Sequence, residues 1–238
     1  MKYLTLIVCF FIPAFLYPEA LDVSARINSD KVILRNGPSR TAAAIDTLAL
    51  GEVVKILEKA NSYEVIYKCQ YDWYQVAIGS KRGWVYGQFL SNVVDSQWKR
   101  IRAPSNYALR VPRSWRLEGT IVYDVLDRKV MEFFSSNSYQ GNLLQFYLDS
   151  LKTEPVLITP RTVVDTRQFT LGKIPGYRVH TRIAAEGGCP AWVVVWDPVV
   201  YLLPTHSDTF HSFAVYLRND SDAPDLKLAD SIASSLEK

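Results

Sequence analysis

Between Asp22 and about Val94 the chain alternates short strand-like segments with turn residues, and this spacing restricts the fold more than any other feature of the sequence. KVILR (31–35) is rich in β-branched and apolar residues and is stopped by NGPS (36–39), which supplies turn conformations. GEVVKILEKA, SYEVIYK and DWYQVAIG then alternate apolar with polar positions, and WVYG (84–87) closes the set. Five short strands in about 70 residues predict a small all-β barrel.

Three of these segments also match a known family. ILRNGPS, IDTLALGEVVKILEK and DWYQVAIGSKRGWVYGQFL stand in the order found in the bacterial SH3 domain, which residues 26–91 resemble. The resemblance implies an SH3-like barrel and an association with cell-wall recognition. ANSYEVIYKCQY (60–71) departs from the family pattern because it lengthens the connection before the WYQV strand, and we expect it to form an extra hairpin.

The second half of the chain predicts an α+β domain with an antiparallel sheet. KVMEFFSS, QFTLGKIPGYRVHTRIAA, AWVVVWDPVVYLL and SFAVYLRND are rich in strand-forming residues. DSQWKRI and GNLLQFYLDSLK are both candidates for a helix, and because apolar positions in GNLLQFYLDSLK share one helical face, we favour a helix over a strand there. APDLKLADSIASSLEK predicts an amphipathic C-terminal helix. YALRVPRSWR, LGKIPGYRVHTR and FAVYLRN, followed by the closing helix, resemble PsbP-like exported domains over about residues 105–238, which implies binding or assembly more than catalysis.

The N-terminus has the pattern of a secretory signal. Lys2 precedes an apolar run from Tyr3 to Leu16, which is too short for a good transmembrane helix. We therefore predict a signal peptide (1–20), a barrel (21–95), a linker (96–106) and an α+β domain (107–238) in a periplasmic or secreted protein. No later stretch reaches the length needed for a membrane span.

The candidate ligand site follows from the two-residue period of strands. If Val76 and Val85 face the barrel core, their neighbours Trp73, Trp84 and Tyr86 face outward. With Phe89, which follows the bend, they predict an exposed aromatic strip. Arg35 and Asn36 lie in the adjacent loop. Such a strip suits a proline-rich peptide or a glycan chain; the alternative is that the rings pack against residues 60–71 or against the second domain.

Catalytic and metal-binding patterns are weak. Cys69 and Cys189 can form a disulfide after export, although the sequence does not fix their geometry. Cys189 is followed by a strand pattern rather than by the helix of exported cysteine peptidases, and HSDTFH (206–211) has zinc-ligand types without helical spacing.

We therefore expect no catalytic residues, no metal and no cofactor. The net charge of +3 and the scattered basic residues argue against nucleic acid as a partner. We predict an exported non-catalytic protein whose barrel binds peptidoglycan glycan or an envelope peptide. The alternative is an envelope assembly or scaffold factor that holds a protein partner through the C-terminal domain, and a cell-wall hydrolase is a third hypothesis.

Overall fold

The computed structural model describes residues 23–66, 69–91, 95–104, 106–153, 161–183, 196–206, 208–218 and 226–237. Within these ranges the chain is mostly β, with fifteen strands and two helices. The predicted signal peptide (1–20) and Cys189 lie outside the described residues.

The first sheet contains six antiparallel strands and curls into a half-barrel. Its spatial order is β1-β4-β5-β6-β2-β3, and a short 3-10 turn, Gly87–Phe89, follows β6. There is one strand more than the five predicted. Two strands were not expected, Val23–Arg26, which pairs with β4, and Ala44–Leu48, which pairs with β2, whereas GEVVKILEKA and SYEVIYK belong to the single strand β4. The strands are β1 (Val23–Arg26), β2 (Val32–Arg35), β3 (Ala44–Leu48), β4 (Val53–Ile66), β5 (Cys69–Ile78) and β6 (Lys81–Tyr86).

The expected extra hairpin is present as an extension of the β4–β5 hairpin. Tyr63 pairs with Asp72 and Ile66 pairs with Cys69, so the two strands continue beyond the barrel. The register shifts between Lys59 and Tyr63, as in a β-bulge, which bends a strand and increases its twist. We call residues 60–66 and 69–71 the arm.

The second half of the chain forms a seven-stranded antiparallel sheet and a separate two-stranded ribbon. The order in the larger sheet is β12-β13-β14-β15-β11-β10-β9. The elements are β7 (Trp98–Arg102), β8 (Ala108–Pro112), β9 (Arg116–Glu118), β10 (Ile121–Tyr123), β11 (Lys129–Ser138), α1 (Leu143–Thr153), β12 (Arg161–Leu171), β13 (Ile174–Ile183), β14 (Trp196–His206), β15 (Thr209–Arg218) and α2 (Leu226–Ser234).

Both favoured helices are confirmed, and DSQWKRI is not a helix. Its last residues belong to β7, which pairs with β8 to form the ribbon. The predicted linker (96–106) therefore contains a strand, and Ile101 and Ala103 are buried in the core of the second half.

Helices and ribbon cover the two faces of the larger sheet. The ribbon and α2 pack on one face around the fully buried Trp115, and α1 packs on the other face through Leu143. On the α2 side, Asp230 accepts hydrogen bonds from Arg178 at 3.0 Å and from the Tyr201 hydroxyl at 2.7 Å. These contacts hold the C-terminal helix on the sheet. Burial of the Tyr201 hydroxyl raises its pKa.

The turn between β10 and β11 (124–128) enters the half-barrel. Leu126 is 3% exposed and belongs to the barrel core, and its carbonyl oxygen accepts a hydrogen bond from the Tyr74 hydroxyl at 3.1 Å. Arg128 donates to the carbonyl oxygens of Leu90 at 2.8 Å and Ser91 at 2.7 Å. The two halves of the chain thus share buried contacts on either side of the predicted boundary.

The aromatic face of the barrel as candidate functional site

The predicted orientation of the side chains on β5 and β6 is confirmed. Val76, Val85 and Tyr74 lie in the barrel core, and burial raises the pKa of the Tyr74 hydroxyl. Trp73 and Tyr86 belong to a separate cluster on the other face of the same strands. The alternation of side chains therefore assigned each ring to the correct face.

The expected exposure of this face is wrong for its two central rings. Trp73 and Tyr86 pair directly across β5 and β6, with ring centroids 5.3 Å apart, and they are 3% and 2% exposed. The reason is the arm, which folds back over them: Ala60 is buried against both rings, and Tyr71 packs edge-on against Tyr86 at 5.7 Å. For Trp73 and Tyr86 the alternative prediction from the sequence, that the rings pack against residues 60–71, is therefore correct.

Glu64 fastens the arm to the two rings. Its carboxylate accepts the indole N–H of Trp73 at 3.0 Å, and its backbone carbonyl accepts the hydroxyl of Tyr86 at 2.7 Å. The Tyr86 hydroxyl in turn accepts the backbone N–H of Tyr71 at 3.1 Å. Both polar atoms of the buried ring pair are thus hydrogen-bonded, as burial of such groups requires.

The same carboxylate ties the arm to the 36–43 loop between β2 and β3. Glu64 accepts the backbone N–H of Arg40 at 3.0 Å, and the Arg40 guanidinium lies 3.5 Å from its other oxygen. The loop is closed internally, because Asn36 donates its backbone N–H to Ala43 at 3.0 Å. Arm and loop therefore form one connected edge beside the ring pair.

Four predicted site residues stay accessible around the covered pair, and we call them the lip: Trp84, Phe89, Arg35 and Asn36. Trp84 and Phe89 are partly exposed, and Asn36 is exposed. Trp84 is in register with Arg35, whose guanidinium donates to the Ala42 carbonyl at 2.6 Å, while the Phe89 ring lies 6.4 Å from Tyr86. The lip combines two ring surfaces with polar donors on a fixed backbone.

The residues considered for other chemistry do not meet in the part of the chain that the structure describes. Cys69 opens β5, and its predicted partner Cys189 lies outside that part, so the disulfide stays a prediction. The ring of His211 packs against Tyr107, 5.7 Å away. Among the described residues there is no group of three potential metal ligands, and no helix is long and apolar enough to cross a membrane.

Sequence reasoning missed Glu64, Leu126 and Arg128. The segment YDVLDRK (123–129) leads from the end of β10 into a turn, and nothing in its sequence indicates that the turn enters the barrel. Asp124 was the available signal: its carboxylate accepts the backbone N–H groups of Leu126 and Arg128 and the guanidinium of Arg128. An aspartate that closes its own turn in this way is typical of Asx turns.

Comparison with known proteins confirms the resemblance of the first half. Residues 30–91 match the family model of the bacterial SH3 domain. No curated protein matches the chain. Among solved structures, the chain is similar to the solution structure of cyanobacterial PsbP (CyanoP) from Synechocystis sp. PCC 6803, with 13% identity over 60% of this chain and 93% of that chain and a TM-score of 0.41.

Proposed function

We propose that this chain is a non-catalytic binding protein that acts outside the cytoplasm, periplasmic or secreted, and that its barrel recognises a cell-wall glycan or an envelope peptide at the lip. The match to the bacterial SH3 domain supports a binding role. The signal-like N-terminus supports export. The buried Trp73 and Tyr86 serve as the rigid support of the site rather than as its contact surface.

The observation that carries this proposal is the partial exposure of Trp84 and Phe89 beside polar groups. Aromatic faces supply large contact areas at a small cost in conformational entropy, and they are frequent anchors of binding sites. Arg35, which is in register with Trp84, and its neighbour Asn36 place hydrogen-bond donors next to Trp84, which suits the hydroxyl and amide groups of a glycan or peptide.

Co-sedimentation with purified cell-wall sacculi tests the proposal. The protein used is residues 21–238, which contain every described strand and helix. Loss of one aromatic anchor costs about tenfold or more in affinity, so Trp84→Ala is expected to lose most of the retention. Phe146→Ala is the matched control, because this ring is 39% exposed on α1 in the other half of the chain.

Equal retention of Trp84→Ala and the unchanged protein would contradict binding at the lip. The same conclusion would follow if Phe146→Ala lost as much retention as Trp84→Ala. If sacculi retain neither protein nor control, the same variants are compared for binding of soluble envelope peptides, in which Trp84→Ala again has to be the weaker.

A second candidate function, an envelope assembly or scaffold factor, is favoured by the contact between the two halves. Leu126 packs in the barrel core, and Arg128 donates hydrogen bonds to carbonyl groups of the barrel. Through these contacts the barrel would hold the second half of the chain in a fixed orientation. In this case a protein partner binds the second half. Stoichiometric capture of one partner by the Trp84→Ala/Phe89→Ala variant would support this function over recognition at the lip.

A further inference from the structure

The outer surface of the β7–β8 ribbon carries three exposed arginines. Arg100 and Arg110 stand directly opposite each other in the register, and Arg102 lies two residues beyond Arg100. The intervening pair, Ile101 and Leu109, is 8% and 1% exposed and packs into the core. Because side chains alternate along a strand, the three guanidinium groups point away from the protein. We call Arg100, Arg102 and Arg110 the arginine face.

This face is the centre of an unusual concentration of charge. Of the 27 basic and 24 acidic residues, six basic and no acidic ones lie between Trp98 and Arg116. The rest of the chain therefore holds 21 basic and 24 acidic residues and is net negative. The expectation that the basic residues are scattered is wrong for this segment, which folds into one ribbon and the turn after it.

Neighbouring groups neutralise only part of this charge. Arg100 forms an exposed ion pair with Glu237 at 3.0 Å, and Arg116 is engaged by Glu118 and Asp127. For Arg102 and Arg110, the described residues provide no carboxylate within ion-pair distance. Like charges directly opposite each other weaken a strand pair, so this arrangement works against the stability of the ribbon.

The arginine face is mounted on a fixed backbone. The backbone N–H of Arg110 donates to the Ser235 hydroxyl at 2.8 Å, and Ala108 forms a β-bridge with Glu237. The ribbon is thereby held at the end of α2 as well as by its buried side. A rigid backbone presents its charged groups without a large loss of entropy on binding.

We infer that the arginine face binds a surface of anionic phospholipid headgroups. Guanidinium groups match phosphate oxygens in geometry and charge. A protein partner fits less well, because the centres of protein interfaces are enriched in apolar and aromatic residues and depleted of charge. A headgroup surface requires only cationic groups that reach it together, as these three do. The inference concerns a different face from the lip and does not rest on the proposed function.

Vesicle co-sedimentation of residues 21–238 tests the inference at low ionic strength. The probes are vesicles of phosphatidylcholine containing about 30% phosphatidylglycerol and vesicles of phosphatidylcholine alone, which differ in the surface charge that attracts basic residues. Each basic residue near an anionic surface contributes roughly fivefold in affinity, so the R100Q/R102Q/R110Q variant is expected to bind the charged vesicles roughly a hundredfold more weakly.

Two matched variants separate charge at this face from other effects. K31Q/K55Q/R82Q removes the same number of charges from exposed positions on the barrel and is expected to keep its binding. R100K/R102K/R110K preserves the charge and is expected to keep most of it. A thermal unfolding midpoint recorded for each variant shows whether the ribbon still folds.

Three results would overturn the inference: equal binding of charged and neutral vesicles, unchanged binding of a folded R100Q/R102Q/R110Q variant, or equal loss in the barrel variant. If the protein does not bind the charged vesicles but binds polyglutamate tightly, the arginine face is assigned to an acidic polypeptide instead. None of these results bears on retention by sacculi, which depends on Trp84, so the two proposals fail separately.

Discussion

Arg128, on the turn after β10, donates a hydrogen bond to the carbonyl oxygen of Leu90 at the end of the barrel, at 2.8 Å. Its guanidinium also bonds the carboxylate of Asp124 at 2.7 Å, and both side chains are almost completely buried. A single cationic group thus satisfies a buried carboxylate and two barrel carbonyl groups. The contact connects the two halves of the chain more firmly than the sequence indicates.

Replacing this arginine is expected to destabilise both halves together. Arg128→Met leaves Asp124 charged, buried and without its ion-pair partner, which costs about 3 to 5 kcal/mol of unfolding free energy. Arg116→Met is the control, because its ion pairs are exposed and screened by solvent, so their loss is expected to change stability little. Urea unfolding measures both; a cost near that of the control would contradict the role given to Arg128.

A second prediction concerns the covered ring pair, Trp73 and Tyr86. Trp73→Ala removes a buried ring and is expected to cost about 3 to 5 kcal/mol of unfolding free energy. Tyr63→Ala, on the same arm but 61% exposed, is expected to change stability by about 0.5 kcal/mol or less. If chemical denaturation shows the two variants to be equally stable, the arm does not cover Trp73 in solution.

Glu64 is expected to act as a hydrogen-bond acceptor for the arm. Glu64→Ala leaves the Trp73 indole N–H and the Arg40 backbone N–H without their acceptor, at a cost of about 1 to 2 kcal/mol. Glu64→Gln retains an acceptor oxygen and is expected to recover most of this loss. Hydrogen exchange of the Trp73 indole measures the same effect locally, and an unchanged exchange rate in Glu64→Ala would refute it.

The stability of the protein is expected to fall as the pH decreases below about 6.5. Burial lowers the pKa of His211 below its ordinary value of 6.5, and its Nδ1 is buried with no hydrogen-bond partner among the described residues. The unfolded chain therefore binds this proton more readily than the folded one. The contribution to stability is complete above about pH 6.5 and is lost as the pH falls through 6.5 toward the lower folded pKa.

His211→Gln removes this titration and is expected to flatten the pH dependence in that window. The lowered pKa values of Asp46, Asp95 and Asp149 act in a different range, since their contributions are lost only as the pH falls below the ordinary aspartate value of 3.8. Thermal midpoints of both proteins at several pH values measure the difference. Parallel curves would show that His211 does not contribute.

The sequence predicted which way the barrel side chains face because a strand alternates with a period of two. It placed Tyr74 with Val76 and Val85, and Trp73 with Tyr86. It could not show whether the outer face is open, since that depends on where the arm folds, and the arm is held by Glu64, an ordinary residue in an ordinary strand. The contact of Leu126 with the barrel is likewise long-range and leaves no local pattern. The helices α1 and α2 were predictable because their apolar residues recur at helical spacing.

Recognition at the lip requires that the ligand contacts Trp84 and its neighbours while the ring pair beneath the arm, Trp73 and Tyr86, stays covered. Indole N–H resonances of 15N-labelled residues 21–238 test it directly on titration with soluble muropeptides, each indole being assigned by substitution with Phe. The Trp84 resonance is expected to shift with added ligand, whereas the resonance of the Trp73 indole, which is hydrogen-bonded to Glu64, is expected to stay in place. A shift confined to Trp73, or a saturating interaction that leaves Trp84 unchanged, would contradict it.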